Sequence, residues 1–109
     1  MELTLKDVRE LISGSGTWMV QPDESFFTVG QAYLIRTVTH YYTGRIEKVN
    51  SSELLLSDAA WIADTGRYSD SLKSGTLSEI EPIVGSLILS RGAIVDAAPW
   101  SHSLPRGVK

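Results

Sequence analysis

Apolar and polar positions alternate with period two through the middle of the chain. Residues 32–42, AYLIRTVTHYY, are dense in β-branched and aromatic side chains, which predicts a strand. One face carries Ala32, Leu34, Arg36, Val38, His40 and Tyr42. The other carries Tyr33, Ile35, Thr37, Thr39 and Tyr41. Both faces open apolar, so this part is expected to be covered on both sides. The threonines predict that one face meets water further on. Gly44 interrupts the run, and a glycine inside a strand permits a strong bend or a close backbone approach. The strand resumes over residues 45–49, with Ile46 alternating against charged neighbours. Asn50-Ser51-Ser52 has turn chemistry. Glu53-Leu54-Leu55-Leu56 opens the next strand, which runs through Ser57-Asp58 to Ala59-Ala60-Trp61-Ile62-Ala63. Three consecutive leucines predict burial on both faces, as where a sheet curls into a barrel. The rest of the chain is expected to build on this 40–60 hairpin.

The flanks follow other patterns. Residues 3–13, LTLKDVRELIS, predict a short helix, with Thr4 as cap, Asp7 completing a capping box, and Leu5, Val8, Leu11 and Ile12 on one face. Gly14 ends it. Trp18, Met19 and Val20 predict a short strand, Pro22-Asp23-Glu24-Ser25 a turn, and Phe26 and Phe27 a return to the core. Residues 64–82 are expected to form a long, mostly irregular connection, with one helical turn between Ser69 and Ser74 and with Leu77 and Ile80 pinning it down. Leu87-Ile88-Leu89 and Ala93-Ile94-Val95-Asp96-Ala97 predict a closing pair around a sharp Ser90-Arg91-Gly92 turn, ended by Pro99. The tail, residues 101–109, reads as irregular.

Composition narrows the classes. The 109 residues suffice for one domain, and a core this small gains from partner subunits. Hydrophobic residues make up 42% and charged residues 21%, which excludes a disordered chain. No apolar run reaches the roughly 20 residues that span a bilayer. The N-terminal segment lacks the basic-then-apolar order of a signal peptide, so the expected compartment is the cytoplasm. With no cysteine there are neither disulfides nor thiolate metal sites. The net charge of −3, with ten scattered Lys and Arg, does not favour nucleic acid.

Two segments carry a resemblance. Tyr42-Thr43-Gly44-Arg45-Ile46-Glu47-Lys48-Val49-Asn50 followed by Leu54-Leu55-Leu56-Ser57-Asp58-Ala59 resembles the first Sm motif: an early glycine, a polar turn, then an apolar strand ending in an acidic and a small residue. Ile88-Leu89-Ser90-Arg91-Gly92-Ala93-Ile94-Val95 resembles the second. The likeness to Sm-like proteins covers roughly residues 32–98. It implies a mainly β fold, a small five-stranded SH3-like or Sm-like bent barrel with a short N-terminal helix. On that reading residues 1–16 are helix and linker, 17–100 the barrel and 101–109 the tail. It also implies a homo-oligomeric ring of six or seven, sealed by the last two strands through Leu87, Leu89, Ile94 and Val95. A monomeric SH3-like barrel is the alternative. Family members bind single-stranded RNA near the pore. By position Asn50 stands for the motif's aspartate, Glu53 for its base-reading asparagine and Arg91 for its arginine. Glu53 departs from the pattern, since a carboxylate repels phosphate and offers no amide.

Candidate chemistry outside the resemblance is sparse. Tyr42, beside His40 and Tyr41, can stack a base, although aromatics on a strand more often serve core or interface. Asp64-Thr65-Gly66-Arg67-Tyr68 is the most ligand-like loop: Asp64, Arg67 and Tyr68 offer a carboxylate, a guanidinium and an aromatic ring within five positions. An ordinary turn explains the same residues. Asp58, Asp64, Asp70 and Asp96 match no metal-loop spacing, and Ser101-His102 lacks the context of a nucleophile elbow. The expectation is a non-enzymatic, ring-forming assembly or binding module without metal or cofactor. Its ligand would be protein, a small nucleotide or RNA, in falling order of support from the charge balance. An RNA-binding regulator and a viral or mobile-element accessory or structural protein are the alternatives.

Overall fold

The computed structural model describes residues 25–109. The helix expected over residues 3–13, the strand at Trp18-Met19-Val20 and most of the turn after it lie outside the described residues. The described chain is mainly β: β1 (Ala32–Thr37), β2 (Tyr41–Val49), β3 (Glu53–Asp64), α1 (Tyr68–Ser74), β4 (Glu79–Pro82), β5 (Leu87–Ser90), a 3-10 turn (Arg91–Ala93) and β6 (Ile94–Pro99). The strands form one antiparallel sheet in the order β4-β3-β2-β1-β6, and β5 pairs with β3.

The 12-residue β3 holds the sheet together because it serves two partners on one edge. Its first half pairs with β5, from Glu53↔Ser90 to Leu56↔Leu87. Its second half pairs with β4, from Ala60↔Pro82 to Asp64↔Glu79. Between the two halves the strand bulges. β3 advances three positions, Ser57 to Ala60, while β2 advances two, Arg45 to Thr43. Asp58 takes up the extra residue with φ 48°, a left-handed conformation that Asp tolerates better than most side chains. The consequence is a change of face. Leu54, Leu56 and Ala59 pack into one core with Tyr33, Ile35, Ile46 and Leu89. Ala60 and Ile62 pack into another with Ala32, Leu34, Leu77, Ile80 and Trp100. A second irregularity, between Ile46 and Lys48 of β2, adds one residue on that strand and returns Val49 to the first core.

The first core is the concave side, closed over by β5. The second is the outer side, covered by α1, the 75–80 segment and the tail. Leu72 and Leu104 pack onto it, and Trp100 is 3% exposed. The tail is tied down by backbone bonds. Trp100 N–H donates to Ala32 O (2.8 Å), and Ile80 and Lys109 exchange bonds of 2.9 and 3.0 Å. His102 Nε2 lies 2.7 Å from Leu72 O. Gly75 caps α1 with φ 76°, and a Cβ there would sit 2.7 Å from the His102 ring, so glycine is required on both counts.

Several expectations change. Residues 32–42 are not one strand. Thr37 N–H donates to His40 O, and the Thr37 hydroxyl both donates to that carbonyl and accepts from His40 N–H. This side-chain-supported turn makes β1 and β2 a hairpin of their own. Among the described residues there are six strands, against five expected for the whole barrel, because residues 32–49 divide into β1 and β2 and the expected irregular connection contains β4 as well as α1. Phe26 is 83% exposed, while Phe27 packs edge-on against Tyr33 at 5.2 Å. β5 and β6 are joined by the 3-10 turn and are not paired with each other, so the sheet is not closed by hydrogen bonds.

Candidate functional site

The turn residues singled out by sequence converge, and they hold one another. The Asn50 side chain accepts from Ser52 N–H (2.8 Å) and Glu53 N–H (2.7 Å), an Asx-type closure of the β2–β3 turn. The Arg91 guanidinium donates to Asn50 O, and Arg91 N–H to Ser52 O (2.9 Å). Asn50, Glu53 and Arg91 therefore meet at one end of the fold, although Asn50 and Arg91 are 41 positions apart. Lys48, Asn50, Glu53, Leu55 and Ile88 line a shallow groove of about 310 Å³ there. Its opposed charges, Lys48 and Glu53, favour neither sign of ligand.

The 64–68 loop is exposed and self-contained. Asp64 accepts from Gly66 N–H (2.8 Å), and Arg67 precedes the first turn of α1 without a side-chain cap. Tyr68 leans toward Tyr41, their ring centres 6.0 Å apart, beside the Arg36–Asp96 ion pair. Burial pushes the Tyr68 phenol above its ordinary value, Asp96 and Tyr41 add to that, and Arg36 opposes it. Tyr68 thus belongs with Arg36, Tyr41 and Asp96, while Asp64 and Arg67 stand apart from it.

A different constellation was not grouped by the sequence. Register places Ala97, Ile35, Tyr42, Trp61 and Glu81 side by side in one row across β6, β1, β2, β3 and β4. Directly opposite residues share a face. From Ile35 toward β4 burial falls steadily: Ile35 is fully buried, Tyr42 half-buried, Trp61 37% exposed and Glu81 exposed. The concave core thus opens into a groove of about 350 Å³ lined by His40, Tyr42, Trp61, Glu81, Pro82, Ile83 and Leu87. His40, on the β1–β2 turn, reaches over it. Its ring lies 5.1 Å from Trp61 at 83° and 6.2 Å from Tyr42 at 64°. Sequence reasoning singled out Tyr42 and His40 but not Trp61 or Glu81, whose partnership exists only through the β2–β3–β4 register.

The residues expected at a subunit seam divide by exposure. Leu89 is buried in the concave core, and Leu87 and Ile94 pack partly against it. Val95 is 55% exposed and Ile88 62%. β5 and β6 each have one strand partner among the described residues.

Among the described residues no three His, Asp or Glu side chains group as a metal site, and no helix is long and apolar enough to cross a membrane. No family model matches the chain, and the searches of curated proteins and of solved structures found no match either.

Proposed function

We propose that the protein is a non-enzymatic binding and assembly module of Sm-like build, whose copies join through the outer edges of β5 and β6. The supporting observation is the state of these two strands. Each is paired on one side only among the described residues, and a 3-10 turn links them in place of a ladder. A row of unpaired backbone donors and acceptors is a template for another strand. Ile88 and Val95, on the two strands, are apolar and more than half exposed. An antiparallel pairing of β5 with the β6 of a neighbour uses two different edges of each copy. Such a heterologous contact closes into a ring when the rotation between neighbours divides a full turn, and runs on as a filament when it does not.

The RNA-binding variant of this reading has less support. The Arg91 guanidinium is spent on Asn50 O, and Glu53 places a carboxylate where a phosphate would approach.

Light scattering on the eluting protein tests the proposal. The expected mass is a multiple of the monomer, six- or sevenfold on the Sm-like reading. Ile88→Lys and Val95→Lys alter exposed side chains and leave the core intact, so each should give folded protein of lower mass. A monomer at micromolar concentration, or variants that assemble like the parent, would sink it.

A further inference from the structure

We propose that the groove between β2, β3 and β4 is a cation site: it takes the alkylated ammonium group of a methylated lysine side chain on a partner polypeptide. The proposal does not depend on ring assembly. Three aromatic rings, from His40, Tyr42 and Trp61, line one wall, inclined to one another at 64° and 83°. Aromatic faces carry the negative end of the ring quadrupole, so a ring face that the edge-to-face neighbour leaves uncovered attracts a positive group. Glu81 is directly opposite Trp61 in the register and supplies the only carboxylate of the lining among the described residues. Among those residues no Lys or Arg lines the groove, and Glu81 makes no ion pair. Pro82, Ile83 and Leu87 complete an apolar lining.

This combination selects a chemistry. A phosphate or carboxylate ligand meets a carboxylate and π faces, and is repelled. A bare divalent ion needs several oxygen ligands and finds one side chain. An unmodified ammonium is strongly hydrated and loses that shell against apolar walls. An alkylated ammonium is weakly hydrated, keeps its charge and presents methyl groups to the rings and the aliphatic lining. The groove is also open: His40 and Glu81 are exposed and Trp61 is 37% exposed. It cannot enclose a free small cation as small-molecule pockets do. A side chain tethered to a polypeptide gains further contacts along the rim, so the polypeptide source is favoured.

NMR titration of the full chain at about pH 8 tests the chemistry. The probes are choline, its uncharged isostere 3,3-dimethylbutanol, and a short peptide carrying trimethyllysine or plain lysine. Choline should shift the Trp61 indole signal, with the isostere about five- to tenfold weaker. The trimethyllysine peptide should bind more tightly than choline and than the plain-lysine peptide. Trp61→Ala should abolish binding, Trp61→Phe retain part of it, and Glu81→Gln weaken it several-fold, all at unchanged oligomeric mass. Equal binding of the uncharged isostere, unimpaired binding by a folded Trp61→Ala variant, or choline binding more tightly than the peptide would overturn the proposal. So would a fall in mass on Trp61 substitution, which would assign the groove to a contact between copies.

Discussion

Replacing Gly44 by alanine tests whether a close approach between β2 and β3 allows the sheet to bend there. A Cβ on Gly44 would lie 3.2 Å from Leu56 Cδ1, 3.3 Å from Leu56 Cβ and 3.4 Å from Ala59 Cβ. Leu56 is fully buried and Ala59 2% exposed, so both neighbours sit in close-packed surroundings with little slack. Overpacking of this kind costs about 1–3 kcal/mol. Gly44 does not occupy the left-handed region, so alanine also restricts the unfolded chain, which stabilises by about 0.4–1 kcal/mol. The balance is a net loss of about 1–2 kcal/mol. Valine adds two further methyl groups in the same space and should lose more. Urea unfolding followed by tryptophan fluorescence measures both changes. Leu56→Ala alone should destabilise by about 2–5 kcal/mol. Combined with Gly44→Ala it removes the Cδ1 contact and frees space into which the remaining Cβ contacts can relax, so the double variant should be more stable than the sum of the two losses by about 0.5–1 kcal/mol. A Gly44→Ala protein as stable as the parent, or a strictly additive double variant, would refute the close-approach argument.

Three further outcomes are expected. Thr43→Val should leave stability unchanged or raise it by about 1 kcal/mol, because the Thr43 hydroxyl is buried without a hydrogen-bond partner among the described residues; a clear loss in thermal or urea unfolding would mean that the hydroxyl is satisfied. Trp100→Ala should remove about 3–5 kcal/mol, since this side chain fills the outer core and donates to Ser103 O at 3.2 Å; a loss under about 1 kcal/mol would show that the tail does not seal that core. Folding favours the protonated Tyr68 phenol, so its contribution is present below the ordinary tyrosine pKa and is lost as pH rises through the higher folded value. Stability measured between about pH 9 and about pH 11 should therefore fall less steeply in Tyr68→Phe than in the parent.

Much of the fold was legible because a half-buried strand leaves a period-two trace. The paired burial of Ala32 to Ile35, the Asn50 turn, the helical turn before Gly75 and the anchoring by Leu77 and Ile80 all follow from local pattern. The resemblance assigned Asn50 and Arg91 to two separate motifs, and the direct bond between them was not anticipated. The turn at Val38-Thr39-His40 was missed because its residues are β-formers. What bends the chain there is the Thr37 hydroxyl bonding to the His40 backbone. The groove was missed for another reason. Tyr42, Trp61 and Glu81 lie on three strands, and no spacing along the chain encodes a cross-strand row.

The sequence by itself determined β3, β5 and β6, the Asn50 turn and a glycine within β2, because these depend on side-chain shape and backbone freedom at each position. It did not determine which face each residue would occupy. Alternation alone puts Leu54, Leu56, Asp58, Ala60 and Ile62 together. The bulge at Asp58 sends Leu54 and Leu56 to the concave core and Ala60 and Ile62 to the outer one. One inserted residue reverses every side chain beyond it. That reversal serves contacts made far along the chain: β5 over the first half of β3, and β4 with the Trp100 tail over the second. Tertiary structure alone decided it, and with it the row that sets Tyr42, Trp61 and Glu81 side by side.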